Sequence, residues 1–418
     1  MKNLGGPVPE FPLAEAALKQ YRQGRLPDFS DTEKTFRHLS NADLRRSSWL
    51  FSLMGRPWLT NTLASLGLPA VKYRLPGAKW AVKHTIFPQF VGGTSLRDSL
   101  PVVERLHERG VTSILDFGAE AKDTEADFDR FTQEVKAAIA FSAKNAAAVA
   151  AVVKITGLAQ DDMLADLNDK VPVMGGDLSG YPALQNCHAR LNEICQLAHE
   201  SGVQVYIDAE ESWIQNTIDA LAADMMERYN RERIVVLHTY QLYRHDRLEF
   251  LKACHERARE YGYKLGAKLV RGAYMVKENA RARDAGLRTP IQPSLAATHR
   301  DYNAAVKYCT ENLSEIGYCI GSHNEESIRL CCQLMLERGI AADDERIQFA
   351  QLYGMSDNLT FNLAESGYNV SKYMVYGPVK EVLPYLVRRA QENTSVTGEM
   401  GRELRLIKTE RIRRRGQG

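Results

Sequence analysis

From about Gly92 onward, short apolar runs alternate with longer amphipathic ones. Eight of the short runs read as strands: Ser113–Phe117, Val149–Ile155, Val203–Asp208, Ile234–Thr239, Lys264–Val270, Tyr318–Ser322, Arg346–Gln351 and Lys372–Val375. Several are near-continuous in Val, Ile and Leu without strict alternation, the pattern of parallel strands buried on both faces. Between them, apolar residues recur at helical spacing over Asp127–Ala143, Leu184–Ser201, Trp213–Tyr229, Arg247–Tyr261, Ala296–Leu313 and Glu325–Arg338. Gly202, Gly262 and Gly339 close three of these segments, where a left-handed C-cap belongs. A last helix, Val379–Glu392, follows the eighth strand. Such alternation over about 300 residues predicts a distorted (β/α)8 barrel of the TIM type rather than an open doubly wound sheet.

Upstream of the barrel the pattern is helical. Leu13–Arg22 is a short amphipathic stretch, and Thr32–Phe51 starts at an N-cap, Asp31 or Ser30. Arg56-Pro57 and Leu68-Pro69 break the pattern. The expected organisation is an N-terminal helical arm (1–90), a barrel (91–400) and a basic C-terminal tail (401–418) carrying Arg411-Ile412-Arg413-Arg414-Arg415. No internal repeat or low-complexity linker interrupts it.

Composition narrows the class without deciding it. The 418 residues are 44% hydrophobic and 25% charged, so a sizeable core is within reach. A net charge of +2 gives no electrostatic case for nucleic acid. The seven cysteines (Cys187, Cys195, Cys254, Cys309, Cys319, Cys331, Cys332) include no C-x-x-C pair, and two are adjacent. This points to a reducing compartment, no structural zinc and no metal site. No apolar run reaches the about 20 residues that a membrane-spanning helix needs. Met1–Arg25 has no signal-peptide core and carries Glu10 and Glu15, so a cytoplasmic protein is expected.

In a barrel of this kind chemistry sits at the C-terminal ends of the strands. The polar residues there are dense: Asp116 and Glu120; Lys154; Asp208, Glu210 and Glu211; Gln241 and Tyr243; Lys268, Arg271 and Tyr274; Ser322, His323 and Asn324; Gln351 and Tyr353; Tyr376. The final helix adds Tyr385, Arg388, Arg389 and Glu392, with Arg388 and Glu392 on one face at i,i+4. Two guanidinium groups beside an aromatic ring suit a small carboxylate with an apolar body.

Five segments, in order, make the sequence recognisable: Ile207-Asp208-Ala209-Glu210-Glu211, Tyr240-Gln241-Leu242-Tyr243, Lys268-Leu269-Val270-Arg271-Gly272-Ala273-Tyr274, Ser322-His323-Asn324, and Tyr385-Leu386-Val387-Arg388-Arg389-Ala390-Gln391-Glu392-Asn393. Together they resemble the proline dehydrogenases. The resemblance implies FAD bound on a barrel without a Rossmann motif, and the sequence indeed holds no G-x-G-x-x-G. It implies that Gln241, Val270, Arg271, Gly272, Ala273, Ser322, His323 and Asn324 hold the flavin. Asp208 and Lys268 would be the catalytic pair, with positive charge from Lys268 or Arg271 stabilising the reduced flavin anion. Lys154, Arg388 and Arg389 would grip the substrate carboxylate. Glu120 and Glu392 would support that grip with ion pairs. Tyr274, Leu352, Tyr376 and Tyr385 would box in the ring. Lys268 stands where many bacterial members have arginine and Arg271 where they have lysine, so the charge is kept but the bidentate fork moves.

The implied reaction is oxidation of L-proline to pyrroline-5-carboxylate, with electrons passed to a quinone. The basic tail would suit an anionic membrane surface, where such an acceptor is met. Hydroxyproline is the nearest alternative substrate; by resemblance a tyrosine at position 376 favours the unsubstituted ring. A lyase or aldolase forming a Schiff base on Lys154 or Lys268 is an alternative of a different class. A non-catalytic scaffold has no need of so many charges at the strand ends.

Overall fold

The computed structural model describes residues 26–54, 78–118, 123–392 and 399–416. The eight apolar runs form the parallel strands β1 (Val111–Phe117), β2 (Ala148–Val153), β3 (Gln204–Ile207), β4 (Val236–Gln241), β5 (Leu265–Val270), β6 (Ile316–Gly321), β7 (Ile347–Leu352) and β8 (Val370–Tyr376). Each pairs with its sequence neighbour, and β8 returns to β1 along Val111–Phe117, closing a (β/α)8 barrel. Ile114, Ala150, Val152, Tyr206, Leu237, Cys319 and Ala350, drawn from six strands, touch one another and fill the lumen. The opposite faces of the strands feed the larger cluster that binds them to the surrounding helices. All seven cysteines are free and buried.

Local chemistry sets the helix ends. Ser95, Thr124, Ser294 and Asn324 accept main-chain N–H groups of the helices they start. Gly202 and Gly262 adopt the left-handed conformation at the C-caps that the sequence assigns them.

The arm differs from its expected outline. Thr32–Phe51 is two helices, Thr32–Phe36 and Asn41–Met54. The break is made by a reciprocal cap: Asp43 N–H donates to Ser40 Oγ, and Ser40 N–H to the Asp43 carboxylate. Leu13–Arg22, Arg56-Pro57 and Leu68-Pro69 lie outside the described residues. Phe36, Leu44, Leu50, Phe51, Phe87 and Phe90 of the arm pack with Val375, Val379, Val382, Tyr385 and Ile407 in a second core beside β7 and β8.

The basic tail folds as a helix, Glu399–Arg415, packed on the arm. Fully buried Glu410 takes Arg413 and Arg414, and Arg414 also donates to the carbonyls of Phe36 and Leu39. Much of the tail's charge is therefore used within the fold. No described helix is long and apolar enough to cross a membrane.

Candidate active site at the C-terminal mouth of the barrel

Strand parity builds the floor of the mouth. Ile114, Val152 and Tyr206 point into the lumen. Two residues further along each strand, the same face carries Asp116, Lys154 and Asp208. Lys268 of β5 and Tyr373 of β8 complete the group. Lys154 Nζ donates to Asp116 Oδ2 at 2.9 Å and to Asp208 Oδ2 at 3.2 Å. Lys268 donates to the other Asp208 oxygen. The Tyr373 hydroxyl lies 2.9 Å from Asp116 Oδ2 and 2.8 Å from Asp208 Oδ2, and 3.4 Å from Lys154 Nζ. The Lys268 ammonium stands 4.9 Å from the centre of the Tyr373 ring.

This group is withdrawn from water, with Asp116, Lys154 and Lys268 all under a tenth exposed. Burial raises the Asp208 carboxyl, but Lys268 and then Lys154 outweigh it and hold Asp208 down at about 2. Burial pushes the Asp116 carboxyl up; Lys154 opposes that shift and the Asp208 charge adds to it.

A second buried polar chain fixes the loops from behind. Glu210 receives the Thr156 N–H at 3.1 Å and faces the Thr156 hydroxyl at 2.5 Å, just past Lys154. Its own N–H donates to Gln215, which bonds Asp219, and Asp219 also engages His238 and Arg247. Burial drives the Glu210 carboxyl up to about 8, so it carries a proton at neutral pH.

On the other side of the mouth, the turn after β5 leaves Gly272 and Ala273 exposed. Gly272 has φ +140°, and a Cβ there would fall 2.4 Å from the Tyr243 ring. Arg271 donates to His299 (3.0 Å), Ser322 Oγ (2.8 Å) and Ser327 Oγ (3.0 Å), with its guanidinium 4.3 Å above the Tyr302 ring. Asn324 caps the helix Glu325–Glu337 and takes Ser322 Oγ on its N–H. His323 Nδ1 meets Ser356 Oγ at 2.8 Å. Burial, helped by Lys372, Arg389, Arg402 and Arg271, holds His323 neutral with its pKa near 3. Gln241 is buried at the end of β4, and its Oε1 has no hydrogen-bond partner among the described residues. Tyr274 heads the helix Met275–Asp284.

The helix Val379–Glu392 lays its apolar face over β7 and β8. Tyr385 joins Leu352, Tyr373 and Val375 in the second core. Arg389 is buried, its guanidinium 5.3 Å from the centre of the Tyr385 ring, and Arg388 is half-buried beside it. The structure does not bring Tyr376 to this group. It lies on the opposite parity of β8 from Tyr373, with its ring 5.6 Å from that of Phe117 and its hydroxyl donating to the Glu134 carbonyl in the outer wall. Glu120 lies outside the described residues, and the Glu392 side chain is likewise not among them.

Residues 99–402 match the family model described as proline dehydrogenase. The chain belongs to the proline dehydrogenase family. Among members of that family, it is 32% identical over 375 residues to proline dehydrogenase 1 of Dictyostelium discoideum, covering 80% of this chain and 65% of that protein. It is 31% identical to the hydroxyproline dehydrogenase of Xenopus laevis, covering 96% and 93%. Its fold matches proline utilization A from Bdellovibrio bacteriovorus with a TM-score of 0.72 at 21% identity, over 93% of this chain and 42% of that one. The chain thus spans less than two thirds of the Dictyostelium relative and under half of the bacterial protein.

For a member of this family, sequence reasoning left Tyr373 out of the site and gave Asp116 no role. Both were within reach of strand parity. Asp116 sits two residues past the lumen residue Ile114, and Tyr373 is the tyrosine of β8 that faces inward, whereas the strand's last tyrosine, Tyr376, faces outward.

Proposed function

We propose that this chain is a flavin-dependent dehydrogenase that oxidises L-proline to pyrroline-5-carboxylate. The observation that carries the reading is the buried Lys154–Asp208–Lys268 group at the barrel mouth, flanked by the arginine-bearing helix. Cations set in a low-dielectric mouth bind a small carboxylate strongly and orient it.

The residues fit a flavin. The Gln241 Oε1 is a buried acceptor awaiting a donor, and the exposed Gly272–Ala273 turn offers main chain that a flat ring and its phosphates can approach. Arg271, with Ser322 and the capped helix at Asn324, supplies positive charge and donors suited to a pyrophosphate. Val270 and His323 line the same wall. FAD, when bound, supplies the hydride acceptor.

In this reading Lys154, Arg388 and Arg389 hold the carboxylate, and Asp208 keeps Lys154 and Lys268 fixed. Tyr274, Leu352 and Tyr385 bound the ring, and the closed group excludes water. The substrate loses a hydride from the carbon next to nitrogen and a proton from nitrogen, giving the cyclic imine. Holding the reacting carbon in one place lowers the barrier by several kcal/mol. A quinone takes the electrons onward, which would bring the protein to a membrane surface from the cytoplasmic side; the exposed Lys408, Ile412 and Arg415 of the last helix are the side chains there for such a contact.

The Xenopus relative makes hydroxyproline the second substrate to compare. Schiff-base chemistry is less well supported, since Lys154 and Lys268 both donate to aspartates, an arrangement for gripping an anion. A visible spectrum of the purified protein, before and after anaerobic addition of L-proline, tests the proposal. A flavin band that bleaches is expected; no flavin band, or one that proline leaves unchanged, overturns it.

A further inference from the structure

The Tyr373 hydroxyl has one hydrogen and two carboxylate oxygens to meet, and a proton on one of those neighbours gives each contact a hydrogen of its own. Its hydroxyl oxygen lies 2.9 Å from Asp116 Oδ2 and 2.8 Å from Asp208 Oδ2. Both are hydrogen-bond distances, and the hydroxyl has a single hydrogen to give. If both aspartates were ionised, one contact would press a lone pair against a carboxylate oxygen. Lys154 does not mend this, because a hydrogen it gives to Asp116, Asp208 or Tyr373 lies on its own line to that atom and not between the Tyr373 oxygen and either carboxylate.

The two aspartates are not equivalent. Asp208 takes an ammonium on each oxygen, Lys268 on one and Lys154 on the other. Asp116 has Lys154 on Oδ2, while Oδ1 is buried with no hydrogen-bond partner among the described residues. A bare carboxylate oxygen in that position costs far more than the carbonyl oxygen of a neutral acid.

We propose that Asp116 and Tyr373 are positioning residues that store a proton at the mouth: Asp116 is a neutral acid donating to the Tyr373 oxygen, and Tyr373 donates to Asp208. The consequence is electrostatic. With Asp116 neutral, Lys154, Lys268, Asp208 and Asp116 sum to +1; with Asp116 ionised they would sum to zero. Beside Arg388 and Arg389, the floor of the mouth then offers one further positive charge to the carboxylate of the substrate. The inference rests on the proposed reaction for its purpose, though the stored proton itself does not depend on it.

The groups facing Asp116 are Lys154 past the end of β2, Asp208 past the end of β3 and Tyr373 from β8, with Tyr376 on the outer side. As pH climbs and Asp116 ionises, the charge of this four-residue floor falls to zero and carboxylate binding weakens. The KM for L-proline should then rise about tenfold in the wild-type enzyme. In Asp116→Asn, which is locked neutral, that alkaline rise should vanish.

The deciding measurement needs no substrate. Infrared spectra of the flavin-loaded protein at neutral pH, with and without aspartate labelled with carbon-13 at its carboxyl, should show an acid carbonyl stretch that the label moves. Buried Glu210 and Glu403 are blind to this label. The band should be missing from Asp116→Asn and should move to higher frequency in Tyr373→Phe, where the acid has lost its acceptor. If wild-type protein has no label-sensitive acid band, the proposal is overturned, and that arm stands even should either variant fail to fold. A band that Tyr373→Phe leaves in place overturns the role of Tyr373. A protein that has the band but is not bleached by proline sinks the proposed reaction and leaves the stored proton standing.

Discussion

Lys154 and Lys268 share one carboxylate: Asp208 takes the first on Oδ2 at 3.2 Å and the second on Oδ1. Removing the shared partner leaves two buried like charges. Breaking a buried pair in this way costs about 3–5 kcal/mol, because an uncompensated charge remains in low dielectric. Asp208→Ala should therefore lower unfolding stability by about that amount, measured by denaturant titration of the flavin-loaded protein. Adding Lys268→Met should recover part of the loss, since it deletes one of the stranded charges. If the second change deepens the loss instead, the lysines do not depend on Asp208 in the way the geometry indicates.

Gly272 tests the flavin wall. At φ +140° an alanine is strained, and its Cβ would meet the Tyr243 ring at 2.4 Å. Gly272→Ala should purify with less than about a third of the wild-type flavin per chain while keeping its far-ultraviolet helix signal, since the strain sits in one exposed turn. The ratio of visible to ultraviolet absorbance checks this. Full flavin occupancy would remove the turn from the cofactor site.

The barrel was legible because its strands are buried on both faces, so their apolar runs are continuous and need no partner to be seen. Gly202 and Gly262 were legible because a left-handed C-cap admits few other residues. Lys154 stood out as a charge ending an apolar strand. What escaped was set by tertiary contact. The split in the arm depends on Ser40 and Asp43 capping each other inside a run that otherwise reads as one helix. The Arg-rich end read as a basic tail because its partners, Thr32, Phe36 and Leu39, come from the opposite end of the chain. The inward facing of Tyr373 follows from parity along β8, but its meeting with two aspartates from other strands is a relation that only the closed sheet creates.

Arg389 tests the carboxylate grip. Its guanidinium lies over Tyr385, on the helix that covers β7 and β8. Arg389→Met keeps the length of the apolar stem and deletes the charge. The KM for L-proline should rise by about tenfold or more, the scale of one charge-assisted contact of 1.5–3 kcal/mol, with a smaller change in kcat. Steady-state kinetics at fixed pH decides it, and a KM within about twofold of wild type would take Arg389 out of the grip.

Glu210 makes a prediction about pH that does not depend on any substrate. Its carboxyl, ordinarily near 4.5, is raised to about 8 by burial, which outweighs the lowering effect of the two Thr156 hydrogen bonds. A raised acid is protonated in the folded chain while its unfolded counterpart is ionised, so folding takes up a proton between those values. The associated stability is fully present below 4.5 and is lost as pH climbs through about 8, at up to about 1.4 kcal/mol per pH unit. Glutamine mimics the protonated form: its oxygen can accept the Thr156 N–H, and its amide can donate to the Thr156 hydroxyl. Glu210→Gln should thus match wild type near the acid end of this window and become progressively the more stable of the two toward the alkaline end. Urea midpoints for both proteins, taken at several pH values across the window, give the difference directly. A difference that stays flat with pH would mean that Glu210 is ionised in the folded protein and that Thr156 donates both of its hydrogens to a carboxylate.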